Sequence, residues 1–152
     1  MNKINIFVKS ILIPVLVGTL VGLVISGNID YNSLQQPSFA PPAIVFPIVW
    51  TLLYILMGVS YGILQSNELV DREVDSIYYY QLTVNALWSI FFFLLKWRLF
   101  SFFWIILLIF FVWKMIKEFY QRNRVAGLLQ IPYLVWLLFA AILNLSIYFL
   151  NR

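Results

Sequence analysis

Five apolar stretches, each about as long as a bilayer is thick, run through this chain with little between them: 6–26, 43–64, 77–95, 99–116 and 128–150. A helix rising about 1.5 Å per residue needs about 20 apolar residues to cross roughly 30 Å of hydrocarbon. Backbone N–H and C=O groups find no water there, so each stretch must satisfy them internally, and runs this long and unbroken do so as helices. The expected fold is therefore an all-α integral membrane protein, a five-transmembrane-helix bundle forming a single domain over residues 1–152. Composition closes the soluble alternative: only 11% of residues are charged, against about 25% in a soluble domain. The first partner implied is the lipid bilayer.

The first stretch has a second reading. Lys3 and Lys9 precede the apolar run and Val24-Ile25-Ser26 is a passable cleavage site, as in a signal peptide. The run is longer than a usual signal core, and Gly18 and Gly22 give it a packing face, which favours a retained helix.

Two absences narrow the chemistry. The chain has no cysteine and no histidine, which removes disulfides, thiolate nucleophiles, Cys-based zinc sites, iron–sulfur clusters, imidazole bases and histidine-ligated haem. No metal site and no required cofactor are expected. The ten Lys and Arg residues are dispersed rather than clustered, so nucleic acid is not an expected partner. They set orientation instead. Lys3, Lys9, Arg72, Lys114, Lys117, Arg122 and Arg124 fall on the N-terminal side, against Lys96, Arg98 and Arg152 on the other. The positive-inside rule then puts the N-terminus in the cytoplasm and the 27–42 connection outside, as expected for a bacterial plasma-membrane protein. That connection is the longest and suits a lid over one end of the bundle.

All six acidic residues, Asp30, Glu68, Asp71, Glu73, Asp75 and Glu118, fall in loops or at helix ends. Without an embedded carboxylate, ion-coupled pumping is not expected. Lys96 and Arg98 read as interfacial anchors, and Trp97, Trp104 and Trp113 as belt or lipid-facing residues.

The groups left inside the membrane are uncharged. Gln81, Asn85, Trp88 and Phe92 share one face of the third span; Tyr133, Trp136, Ala140 and Asn144 share one face of the fifth; Trp50 and Tyr54 are an i, i+4 pair below Pro47. Amides in hydrocarbon need partners, so these faces are expected to turn toward one another. Each amide alone reads as interhelical glue. Together with the aromatics they describe a neutral pocket for a flat, largely apolar ligand. Gly18 with Gly22 and Gly58 with Gly62 have the small-xxx-small spacing that brings helices close, within one chain or across a homodimer.

Three blocks stand out in order along the chain: Tyr31-Asn-Ser-Leu-Gln-Gln-Pro-Ser-Phe-Ala-Pro41-Pro42 with Phe46-Pro-Ile-Val-Trp50-Thr-Leu-Leu-Tyr54, then Gln81-Leu-Thr-Val-Asn85-Ala-Leu-Trp88, then Pro132-Tyr133-Leu-Val-Trp136-Leu-Leu-Phe139-Ala140-Ala-Ile-Leu-Asn144. Together they resemble the translocator protein family, also called tryptophan-rich sensory proteins or peripheral-type benzodiazepine receptors. The resemblance implies five membrane helices and a pocket beneath the first loop that takes porphyrins, sterols or synthetic aromatic ligands. Its lining would be Tyr31, Pro41 and Pro42 from the loop, Phe46, Trp50 and Tyr54, then Asn85, Trp88 and Phe92, then Trp136, Phe139, Ala140 and Asn144; Gln81 and Tyr133 join them from the spacing. With no imidazole or thiolate, metal-free protoporphyrin IX is the expected ligand, stacked between Trp50 and Trp136. The implied role is sensory, regulatory or transport. Two alternatives are light-dependent protoporphyrin breakdown, with Trp50 and Trp136 as the oxidisable indoles, and facilitated movement of porphyrin or sterol.

Departures from the family pattern stand at Asp30, where a tryptophan is usual, and at Gln36, where a lysine is frequent. Phe39 replaces a second loop tryptophan, and Leu145 follows Asn144 in place of an aromatic. The expectation drawn from Asp30 and Gln36 is that a ligand carboxylate meets an acid and amides rather than a cation.

Overall fold

The structure, a computed structural model, describes residues 2–152. Its helices are α1 (Lys3–Ile25), α2 (Val45–Ser66), α3 (Arg72–Ser89), α4 (Arg98–Arg122), α5 (Arg124–Leu128) and α6 (Ile131–Asn151), and no strand occurs among the described residues. Local chemistry sets several starts. The Asn2 side chain accepts from the Ile4 N–H at 3.1 Å, Asp71 from Val74 at 2.9 Å and Asn123 from Ala126 at 3.1 Å. Each satisfies an amide that a helix N-terminus leaves open. Glu73 and Asp75 in the first turn of α3 also complement the positive end of its dipole.

α1 lies along α2, α3 along α4, and α4 along α6; α5 fills the corner between α2 and α4, and α1 touches α3. The glycines explain the first contact. Pro14 has no N–H, which leaves the Ser10 carbonyl without its helical partner. That carbonyl and the Ile11 backbone face Gly58, where a Cβ would collide with them. Gly62 meets the Phe7 ring, and Gly18 the Tyr54 ring, in the same way. Between intrachain and interchain contact, these three glycines are taken up within the chain.

Four helical segments are long and apolar enough to cross a membrane: Lys3–Asn28, Val45–Ser66, Arg98–Arg122 and Arg124–Asn151. The third expected span is also helical. It begins earlier than residue 77, with a charged first turn at Arg72, Glu73 and Asp75, and its buried face carries Gln81 and Asn85; both features dilute its apolar content. Large apolar side chains point outward on the other helices, among them Leu20 and Leu23 on α1, Phe103 and Phe110 on α4, and Val135 and Ile142 on α6. A surface of this kind belongs in lipid, and the protein is an integral membrane protein.

One irregularity positions the site. α3 passes into a π-helical turn, Ile90–Leu94, whose wider i to i−5 pattern is visible in the Leu95 N–H donating to the Ile90 carbonyl at 2.9 Å. The chain then reverses through Lys96, held at φ 56°, into α4.

Candidate functional site

Under the 26–44 connection lies a cavity of about 420 Å³. α2 supplies Phe46, Trp50 and Tyr54; α3 and its π turn supply Trp88 and Phe92; α6 supplies Ala140 and Asn144. α1 closes the remaining side with Gly18, Gly22 and Ile25, and Ile29 and Tyr31 form the roof. The walls are aromatic and almost wholly apolar. Trp50 is stacked on Tyr54 with ring centroids 5.8 Å apart, and Trp88 on Phe92 at 5.2 Å.

Behind Tyr54, outside the cavity lining, runs a chain of neutral hydrogen bonds. The Tyr54 hydroxyl donates to Asn85 Oδ1 at 2.7 Å, Asn85 Nδ2 donates to the Tyr133 hydroxyl at 2.6 Å, and that hydroxyl donates to Gln81 Oε1 at 2.9 Å. Three helices are thereby joined without one charge. Gln81 is fully buried and Asn85 is 2% exposed, so each lost partner would strand a polar group in a medium with no replacement.

A second cluster ties the upper wall to α4. Trp88 Nε1 donates to Asn144 Oδ1 at 3.0 Å, Ser101 Oγ donates to the same oxygen at 3.1 Å, and Asn144 Nδ2 donates to the Arg98 carbonyl at 2.8 Å. Arg98 in turn fastens the lid. Its Nη2 lies 2.7 Å from both carboxylate oxygens of Asp30, and Lys96 Nζ is 3.8 Å from Asp30. A second fastening joins Gln35 to the end of α6: its N–H donates to Asn151 Oδ1 at 2.9 Å and its carbonyl accepts from Asn151 Nδ2 at 2.8 Å. Within the lid the Tyr31 hydroxyl donates to the Pro41 carbonyl at 2.7 Å, and burial holds its pKa above the usual phenol value.

The structure sorts the sequence-based site residues into three places. Tyr31, Phe46, Trp50, Tyr54, Trp88, Phe92, Ala140 and Asn144 line the cavity. Asn85, Gln81 and Tyr133 form the network behind it, where Asn85 orients Tyr54. Trp136 and Phe139 line neither; together with Val49, Leu52 and Val135 they border a shallow apolar groove on the outer side of the α2–α6 seam. Phe46 stands against Trp136, with centroids 5.8 Å apart. Trp50 therefore lines the cavity and Trp136 does not; the ring faces that line it are Trp50 on α2 and Trp88 with Phe92 on α3 and its π turn, in place of the expected Trp50 and Trp136 pair. Of the lid prolines, Pro41 acts through its carbonyl on Tyr31, and Pro42 through its carbonyl, which accepts the Val45 N–H at 3.0 Å where α2 begins.

Three readings change. Arg98 is not a free interfacial anchor, since its side chain is 13% exposed and is bound to Asp30. Trp104 is not lipid-facing at its polar edge, because its Nε1 donates to the Val84 carbonyl at 2.8 Å. Asp30 does not present an uncompensated acid to the cavity mouth, because two cations surround it. The cavity wall on α1, chiefly Val15, Gly22 and Ile25, was missed. Those residues carry no signal beyond the Gly18 and Gly22 spacing, which reads equally as a packing face.

Comparison with known proteins agrees with this architecture. The TspO/MBR family pattern matches residues 10–150. A tryptophan-rich protein TspO from Archaeoglobus fulgidus is 41% identical over 122 residues, covering 80% of this chain and 79% of the relative. Protein CrtK from Rhodobacter capsulatus is 34% identical over 134 residues, covering 86% and 83%. A translocator protein homolog from Schizosaccharomyces pombe is 32% identical over 145 residues, covering 92% and 88%. With the matched pattern spanning nearly the whole bundle, this chain belongs to the TspO/MBR family.

Proposed function

We propose that the cavity holds a flat hydrophobic molecule of the tetrapyrrole class, metal-free protoporphyrin in the first instance, and that binding serves a sensory or transport role. The observation that carries this reading is an aromatic cavity of about 420 Å³ whose polar lining residues, Thr19, Thr51, Tyr54, Ser89 and Asn144, are all uncharged. That volume lies in the usual range of small-molecule sites, about 300–1,000 Å³. The Trp50–Tyr54 and Trp88–Phe92 pairs offer ring faces for stacking. Relatives named as sensory proteins, such as the tryptophan-rich sensory protein of Cereibacter sphaeroides at 33% identity, favour the sensory role. In this reading α3 with its π turn is the third of five spans, the N-terminus is cytoplasmic, and the lid faces outward from a bacterial plasma membrane.

The test is quenching of tryptophan fluorescence by protoporphyrin in detergent micelles. Trp50→Ala is expected to weaken binding by about tenfold or more, the worth of one well-buried aromatic contact; unchanged affinity would remove Trp50 from the site. Trp136→Ala is expected to have a smaller effect.

A photochemical role has one supporting observation: Trp50 contacts both Tyr54, at 5.8 Å, and Tyr133, at 6.3 Å, so an indole oxidised by an excited porphyrin would have phenol neighbours. No imidazole or thiol stands in the chain, and the protein would contribute confinement and an electron donor. Porphyrin absorbance that fades no faster under illumination with protein than in empty micelles would rule this role out.

A further inference from the structure

The lid's one acidic residue, Asp30, stands beside two cations. The other five acids, Glu68, Asp71, Glu73, Asp75 and Glu118, belong to the opposite end of the bundle or its last turns. This end of the cavity therefore carries surplus positive charge. Arg98 is committed to Asp30 through Nη2, while its Nε is buried without a partner. Lys96 is committed to very little: its 3.8 Å separation from Asp30 exceeds hydrogen-bond range, and its side chain is 52% exposed.

Neither cation lines the cavity, but both adjoin residues that do. The Arg98 guanidinium lies 5.2 Å from the centroid of Phe92, a ring that lines the cavity. Ile29 and Tyr31, on either side of Asp30, form the cavity roof. Lys96 follows the π turn that supplies Phe92 and Phe93. Its left-handed backbone, φ 56°, is one that a residue with a Cβ occupies at a cost. Such strain, next to a π turn, is common at functional sites.

We propose that Lys96 and Arg98 form an anion-binding subsite at the rim of the cavity. Its ligand class is an amphipathic hydrophobe whose flat apolar body fills the cavity and whose carboxylate, or a similar anion, takes Lys96 Nζ and shares the Arg98 guanidinium with Asp30. The inference rests on the cavity being the ligand site, and it reverses the expectation drawn from Asp30 and Gln36 in the sequence.

The experiment compares protoporphyrin with its dimethyl ester, which keeps the ring and lacks the charge, in nanodiscs of zwitterionic lipid at low salt. For the native protein the acid is expected to bind about fivefold to tenfold more tightly than the ester, the worth of one partly exposed charge-assisted contact. That advantage should shrink as salt is raised. In Lys96→Gln the acid-to-ester ratio should fall severalfold toward one, with only the shared Arg98 left to hold the anion. If that variant folds poorly, Lys96→Asn repeats the test with a residue that tolerates the left-handed backbone. Equal binding of acid and ester by the native protein, or a ratio unchanged in the variants, would overturn the subsite while leaving the cavity intact. Loss of ester binding as well as acid binding in the native protein would instead overturn the cavity reading. If anionic lipid at matched ionic strength abolishes the acid's advantage, the cations serve lipid headgroups, and the assignment to the ligand fails.

Discussion

Gly18 and Gly22 lie one turn apart on α1, yet they meet different surroundings. A Cβ at Gly18 would strike the Tyr54 ring, while a Cβ at Gly22 has nothing within 4 Å and points toward the cavity. Gly22→Leu is therefore expected to fill ligand space without strain. Porphyrin binding should fall by about tenfold or more, while thermal stability in detergent stays within about 0.5 kcal/mol of the native protein. A parallel loss of both would refute the placement. Gly58 is the opposite case, because its neighbours are backbone atoms of α1 that have no rotamer to yield. Gly58→Ala should destabilise by about 1–3 kcal/mol, read as a lowered melting temperature, with α1 pushed off α2. The hydroxyl of Tyr133 bridges Asn85 and Gln81. Tyr133→Phe removes both bonds at constant shape and should cost about 1 kcal/mol, near the range found for hydrogen bonds between membrane helices. It should also loosen the Tyr54 hydroxyl, shifting its vibrational frequency.

At the scale of elements, the N-terminal end of α3 is held to α4 by charge. Arg122 Nη2 is 2.6 Å from Asp71 and Arg122 Nη1 is 2.6 Å from Glu118. The Arg122 guanidinium, then the Val74 N–H, hold the Asp71 carboxyl below the ordinary carboxylate range. A depressed folded pKa means that this contribution is fully present above the unfolded value and disappears as pH falls through the folded one. Melting temperature should therefore decline in acid, below about pH 4, and the decline should be shallower in Asp71→Asn. An identical acid limb in that variant would exclude the pair as its source. The same variant keeps a side-chain oxygen for the cap at Val74, so the start of α3 should persist.

For the whole molecule, the lid is the element whose attachment reaches furthest. Asp30 joins it to Arg98, Gln35 joins it to Asn151, and Arg98 reaches Trp88 through its own carbonyl and Asn144. Motion of the lid and shape of the upper cavity wall are thus linked through packed polar groups. Asp30→Ala is expected to speed hydrogen exchange of amides in 29–36 and to raise the ligand dissociation rate severalfold, while exchange in the α1–α2 seam stays as in the native protein. Uniform acceleration throughout the bundle would show general destabilisation instead of lid release.

Much of this was legible in the sequence because the bilayer is a severe solvent. Length and apolarity of four segments, the inward faces of Gln81, Asn85 and Asn144, and the aromatic pocket follow from the need to satisfy every polar group without water. The helix caps at Asn2, Asp71 and Asn123 depend only on neighbours within three positions, but they start their helices before the apolar stretches that marked the spans. Other features were decided only when distant segments met. Periodicity puts Trp136 on the same helical face as Ala140, but that face is wide, and contact with Phe46 directs the indole to the outer groove. Asp30 and Arg98, 68 positions apart, look in sequence like a mismatched loop acid and an interfacial anchor; folding makes them one ion pair at the cavity mouth. A helix face and a cap are local properties of chain geometry. The partner of a charge and the side of a seam on which a ring settles depend on what the rest of the bundle leaves open, and only the tertiary structure decides that.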